Sequence, residues 1–230
     1  MTTPGGRAPG GAQAGRAQRR TLVKVCGLTR LEDARWALEC GADWLGFIVH
    51  AGGPRRIEPE RMAAIVDELP AKTGWRAVAV MADVGADEAL ALAQRAHAHR
   101  VQLHHADAAR WPLDFPLPCA FAVGVTPEGV LVADEPPAPH LLMLDTSIGG
   151  HEGGTGRTWP WPVARAIAER RDVLLAGGLH AGNVAEAIQA LKPFAVDAAS
   201  RLESHPGIKD PDQVRRYVEA VRMLETTSTS

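Results

Sequence analysis

The chain has 230 residues, 46% hydrophobic and 23% charged, with a formal net charge of −2, a length that suits one large domain with a sizeable core. Residues 1–20 hold four arginines and no acid, so the remaining body carries 21 basic against 27 acidic residues, net −6, which argues against a nucleic-acid partner. No apolar run approaches the roughly 18 residues of a membrane-spanning helix, and the N-terminus lacks the apolar stretch of a secretory signal.

Residues 1–20 are a Gly/Ala/Pro/Arg/Gln tract, expected to be a disordered basic tail because it buries too little apolar surface to offset chain entropy. From residue 21 short apolar runs alternate with helical patterns. Strands are predicted at 22–26, 43–49, 75–81, 100–104, 119–124, 140–145, 172–176 and 194–199. Near-continuous apolar runs of this kind suit parallel strands buried on both faces. Helices are predicted at 31–40, 59–69, 86–98, 162–171, 182–191 and 211–224, with a short one at 106–111. Gly41 is a helix-ending residue, and Pro59 suits a first helical turn. The stretch 126–139 holds four prolines and no helical period, so a loop is expected there. Residues 225–230 are expected to form a short flexible tail.

Eight strands in βα alternation predict a single α/β domain over 21–224, a (β/α)8 TIM barrel. The rival is an open doubly wound sheet, weakened because no GxGxxG follows the first strand. In a barrel the active site lies at the C-terminal ends of the strands. The candidates there are Cys26, Arg55, Gln102, His104, Asp145, Gly177, Gly178, Ser200 and Arg201.

Cys26 ends the first strand, and alternation puts Lys24 on the same face. A thiol is reactive as thiolate, which needs a depressed pKa; the bland alternative is an inert buried cysteine. Asp145 follows four apolar residues at the end of the sixth strand. It suits a proton donor whose site raises its pKa, or else a cap shared with Thr146. A thiol and a carboxyl at one mouth form a possible base and acid pair. Arg55, on a Gly/Pro loop, suits a forked grip on a carboxylate. Gly177-Gly178 after the seventh strand, with the loop after the eighth, suit phosphate binding by backbone N–H groups. The glycine run after Asp145 makes that connection able to approach a ligand closely. The histidines at 97, 99, 104 and 105 lack a carboxylate at ligand spacing, so no metal is expected. The three cysteines, Cys26, Cys40 and Cys119, are odd in number and widely spaced. They spell no disulfide framework, and a reducing, cytoplasmic setting is the expectation.

The blocks KVCGLTRLEDARWALECGADWLGFIV, GPRRIEPE, VQLH, LLMLDTSIGGHEGGTG, LLAGGLHAGNVAEAI and PFAVDAASRLESHPGIKD resemble phosphoribosylanthranilate isomerase in order and spacing. The resemblance spans about residues 22–222. It implies a (β/α)8 barrel of tryptophan biosynthesis, with no metal, no organic cofactor and a small phosphorylated substrate. The implied reaction is an Amadori rearrangement. By resemblance Asp145 is the general acid, Cys26 the general base, and Arg55 the holder of the anthranilate carboxylate. Gly177, Gly178 and Ser200 match the phosphate loops.

Some positions depart from the family pattern. Ala199-Ser200-Arg201 stands for a usual Ser-Ser-Gly, His105 and Gly53 for a usual glycine and serine, and Trp159-Pro160-Trp161 for a frequent Phe-Asp-Trp. Arg201 adds a Cβ where a positive φ would be costly, or else its guanidinium itself binds phosphate. Six tryptophans against one tyrosine is an unusual set for such an enzyme. The alternatives are a paralogous barrel acting on another phosphorylated metabolite, or a non-catalytic binding module. Nucleic-acid and membrane partners are not expected, and the chain reads as a monomer or homodimer.

Overall fold

The computed structural model describes residues 19–71, 74–126, 130–145 and 161–227. The glycine run at 149–156, Thr146 and Trp159-Pro160 lie outside the described residues, as does the basic tail up to residue 18.

Eight parallel strands close into a barrel in sequence order: β1 (Leu22–Val25), β2 (Trp44–His50), β3 (Arg76–Ala82), β4 (Arg100–His104), β5 (Cys119–Gly124), β6 (Leu141–Asp145), β7 (Val173–Ala176) and β8 (Ala195–Ala198). The eight predicted strands are all present. Closure is made by β1 against β8, pairing Lys24 with Asp197 and Val25 with Ala198. The open-sheet rival is excluded.

Period two sorts each strand into two faces. Val23 and Val25, Leu142 and Leu144, and Val196 join the large core between barrel and helices. The alternate positions form a second cluster inside the barrel, including Cys26, Trp44, Val78, Met143 and Ala195. Lys24, Gln102, Asp145 and Asp197 share that inward phase and are all buried. The Arg100 guanidinium lies 4.5 Å over the Trp44 ring, both at the first residues of their strands.

The helices are α1 (Leu31–Glu39), α2 (Pro59–Asp67), α3 (Ala86–Arg95), α4 (Trp161–Arg170), α5 (Val184–Leu191) and α6 (Pro211–Thr227). The predicted helix at 106–111 is absent. Two turns replace it, with Asp107 Oδ1 accepting from the Ala109 N–H at 3.1 Å. Six residues ahead of Pro112 nucleate a helix poorly. Buried Trp111 covers the barrel there instead, its ring centroid 5.5 Å from that of Phe121. The 126–139 stretch is helix-free over its described residues, as expected.

Both ends of the folded unit extend past the expected limits. Arg19 is paired with Asp172 and stacked on Phe194, Arg20 is paired with Asp43, and α6 continues through Thr227. After β8 come a 3-10 turn (Ser200–Leu202) and a small antiparallel ribbon, β9 (Glu203–His205) with β10 (Ile208–Lys209). The sequence reading did not separate this ribbon from the final loop.

Candidate active site

Cys26 sits one residue beyond β1, 6% exposed, its N–H donating to the Ala198 carbonyl at 2.9 Å. The chain then turns through Gly27 at φ +74°. A Cβ at Gly27 would lie 2.9 Å from Arg55 Cδ. Glycine is required there twice over, for the left-handed turn and for the arginine stem that crosses it. Asp145 ends β6 at 7% exposure, on the inward phase, three strands around the barrel from Cys26. The two sequence-predicted proton-transfer residues therefore share one mouth.

Arg55 does not stand free. Its Nε and Nη2 donate to the two oxygens of Glu203, at 2.9 and 2.8 Å. The same carboxylate accepts from Lys209 Nζ at 2.8 Å, and Lys209 also donates to the Ala199 carbonyl at 3.1 Å. Burial pushes the Glu203 carboxyl up, but its bonds to Arg55 and Lys209 together hold it below the usual range. Burial lowers Lys209, against the pull of Glu203. Arg55 Nη1 has no hydrogen bond among the described residues, and the Arg55 side chain is 28% exposed. The Nε/Nη2 edge is thus locked by Glu203.

Inside the barrel, Lys24 Nζ donates to Asp197 Oδ2 at 2.8 Å. Burial lowers Lys24, but the charges of Asp197 and Cys26 outweigh it and the ammonium is held above its ordinary range. Burial pushes the Cys26 thiol up, opposed chiefly by Lys24. Burial also pushes Asp197 up, opposed by Lys24 and reinforced by Asp145.

His104 ends β4 and is kept below its ordinary pKa by burial, with Asp145 pulling the other way. Its Nε2 lies 2.9 Å from Gln102 Nε2. Gln102 is 2% exposed and lies on the same inward face beneath His104, so it orients that ring from within the wall.

Gly177 and Gly178 take φ of +95° and +68°. No hydrogen bond engages their N–H groups among the described residues. The Gly178 carbonyl accepts from Asn183 Nδ2 at 3.2 Å, and Asn183 Oδ1 accepts from the His180 N–H at 2.8 Å. This ties the loop to the start of α5 and leaves two amide donors at its rim. Ser200 and Arg201 are exposed on the 3-10 turn. Arg201 is not among the residues of positive φ, so the expected backbone cost of an arginine at this position does not arise. Burial and the Arg201 charge both lower His180.

The sequence reading passed over Glu203, Lys209 and Asp197. The legible signal for Asp197 was an acid on the inward phase of an apolar strand. Nothing local marked Glu203.

Fold and site together define a single-barrel enzyme with its polar side chains gathered at the C-terminal ends of the strands, where barrels carry out their chemistry. Residues 23–220 match the family described as N-(5'phosphoribosyl)anthranilate (PRA) isomerase, and the chain belongs to that family. It is 37% identical to the N-(5'-phosphoribosyl)anthranilate isomerase of Desulforudis audaxviator, covering 88% of this chain and 98% of the relative. The phosphoribosyl anthranilate isomerase structure from Thermotoga maritima superposes with a TM-score of 0.75 at 30% identity, covering 88% of this chain and 99% of that one. A phosphoribosyl anthranilate isomerase solved in complex with reduced 1-(o-carboxyphenylamino)-1-deoxyribulose 5-phosphate superposes with a TM-score of 0.72 at 29% identity, covering the same shares, 88% and 99%.

Proposed function

We propose that this chain isomerises N-(5-phosphoribosyl)anthranilate to 1-(2-carboxyphenylamino)-1-deoxyribulose 5-phosphate, with Asp145 as general acid and Cys26 as general base. The observation that carries this reading is a buried thiol and a buried carboxyl on one inward face of a barrel mouth, beside an arginine with one free edge. Asp145 gives its proton to the furanose oxygen, and the C1–O bond opens to an iminium. Cys26 takes the proton from ribose C2, and the resulting enolamine tautomerises to the ketone by returning a proton to C1. Proton transfers need no cofactor, and a positioned acid or base each contributes about 10²–10⁴-fold.

The anthranilate carboxylate fits the open edge of Arg55, against the ring of His104 that Gln102 supports. The phosphate fits the amides of Gly177 and Gly178 with Ser200 and Arg201. A fluorescence assay of phosphoribosylanthranilate consumption with purified protein tests the reading. Turnover supports it. Absence of turnover by folded protein, with failure to restore growth of a tryptophan auxotroph lacking the isomerase, overturns it in favour of a paralogous barrel. A cytoplasmic location, with small metabolites rather than nucleic acid or membrane as partners, belongs to the same reading. Fractionation of expressing cells checks the location.

A further inference from the structure

We propose that Lys24 is the positioning residue that sets the base strength of Cys26: its ammonium, clamped by Asp197, is the counter-ion of the thiolate. The inference rests on the acid/base reading above.

Lys24 is fully buried, at an inward position of β1 where an aliphatic side chain is the default. Burying a charge is costly before compensation, so a lysine here needs strong partners. One is Asp197, at 2.8 Å. The other is Cys26. A Cβ built on Gly46 would stand 2.7 Å from Cys26 Sγ and 2.9 Å from Lys24 Nζ. Thiol and ammonium thus lie over the same side-chain-free position of β2, where the lysine charge opposes the effect of burial on the thiol.

The charged groups facing Cys26 are Lys24 on its own strand, Asp197 on β8, Lys209 on β10 and Arg55 beyond β2. Arg55 and Lys209 already share Glu203, and Lys209 also holds the Ala199 carbonyl. Lys24 has a donor left for sulfur. Asp197 completes the arrangement, with Oδ1 buried and unbonded among the described residues. It keeps the lysine charged yet repels the thiolate, so the sulfur stays basic enough to take a carbon-bound proton. In the step itself the C2 proton passes to Sγ, and Lys24 keeps its own protons throughout.

The test titrates Cys26 in full-length protein carrying Cys40→Ala and Cys119→Ala, following the ultraviolet absorbance of its thiolate. Lys24→Met should raise the midpoint by about one unit or more, a tenfold change in the thiolate equilibrium. The alkaline rise of the kcat/KM profile should move with it, and kcat near neutrality should fall about tenfold or more with KM little changed. Asp197→Asn should move the midpoint down, because the thiolate becomes the sole anionic partner of Lys24. A general loss of packing does not produce shifts of opposite sign. A midpoint unmoved or lowered by Lys24→Met, or unmoved or raised by Asp197→Asn, overturns the proposal. If Lys24→Met fails to fold, Lys24→Gln, which removes the charge but keeps a polar end for Asp197, takes its place under the same criterion. Failure of the parent protein to turn over its substrate overturns the functional reading instead, and leaves the titration to judge the ion pair.

Discussion

Arg55 and Glu203 meet in a two-pronged bond, Nε and Nη2 to the two carboxylate oxygens at 2.9 and 2.8 Å, across 148 residues of sequence. The pair links the loop after β2 to the ribbon after β8. It fixes the plane of the guanidinium before any ligand arrives, which lowers the ordering that binding would otherwise require.

Glu203→Gln should therefore weaken substrate binding more than chemistry. Loss of a charge-assisted bond is worth about 1.5–3 kcal/mol. KM should rise about tenfold, with kcat within a few-fold of the parent. Steady-state kinetics read this directly, and a fall confined to kcat counts against Arg55 as the carboxylate holder.

The same carboxylate predicts acid sensitivity. Its folded-state pKa lies below the ordinary 4.5, so its contribution to stability is complete above that value. The contribution is lost as pH falls through the folded value. Denaturant midpoints measured downward from pH 6 should drop more steeply for the parent than for Glu203→Gln.

Cys26→Ala and Asp145→Asn should each reduce kcat by about 10²–10⁴-fold while leaving circular dichroism unchanged. For the parent, kcat/KM should rise through the alkaline range, because burial holds the Cys26 thiol above its ordinary 9.0 and the base is the deprotonated form. A profile flat on that side removes Cys26 from the role.

Arg201→Ala should raise KM about tenfold for the phosphorylated substrate and weaken inhibition by inorganic phosphate in parallel, as expected for one lost charged contact. Its backbone is not left-handed, so folding should be unaffected. Unchanged phosphate inhibition would place the arginine outside the phosphate site.

Gly46→Ala probes the crowding around the base. The added methyl would lie 2.7 Å from Cys26 Sγ, and overpacking of this kind costs about 1–3 kcal/mol. Thermal unfolding should show the loss, and kcat should fall with it as Cys26 and Lys24 are pushed apart.

Much of this was legible in the residues alone. Eight apolar runs and the period-two phase within them placed Cys26 and Lys24 on one face. Asp145 and His104 stood at strand ends, and Gly177-Gly178 followed β7 directly. These are local properties, because strand phase and strand ends are written within a few neighbouring residues. The helix expected at 106–111 failed for the converse reason. Six residues carry a weak local signal, and packing of Trp111 on Phe121 overrode it.

The charge pairs were decided only by the tertiary structure. Lys24 and Asp197 lie 173 residues apart and meet because closure sets β8 beside β1. Arg55 finds Glu203 because the chain folds a ribbon back over the mouth after β8. The sequence by itself determined which side chains point into the barrel. Closure of the barrel determined which of them touch, because a contact between distant residues depends on the register of strands that no local stretch encodes.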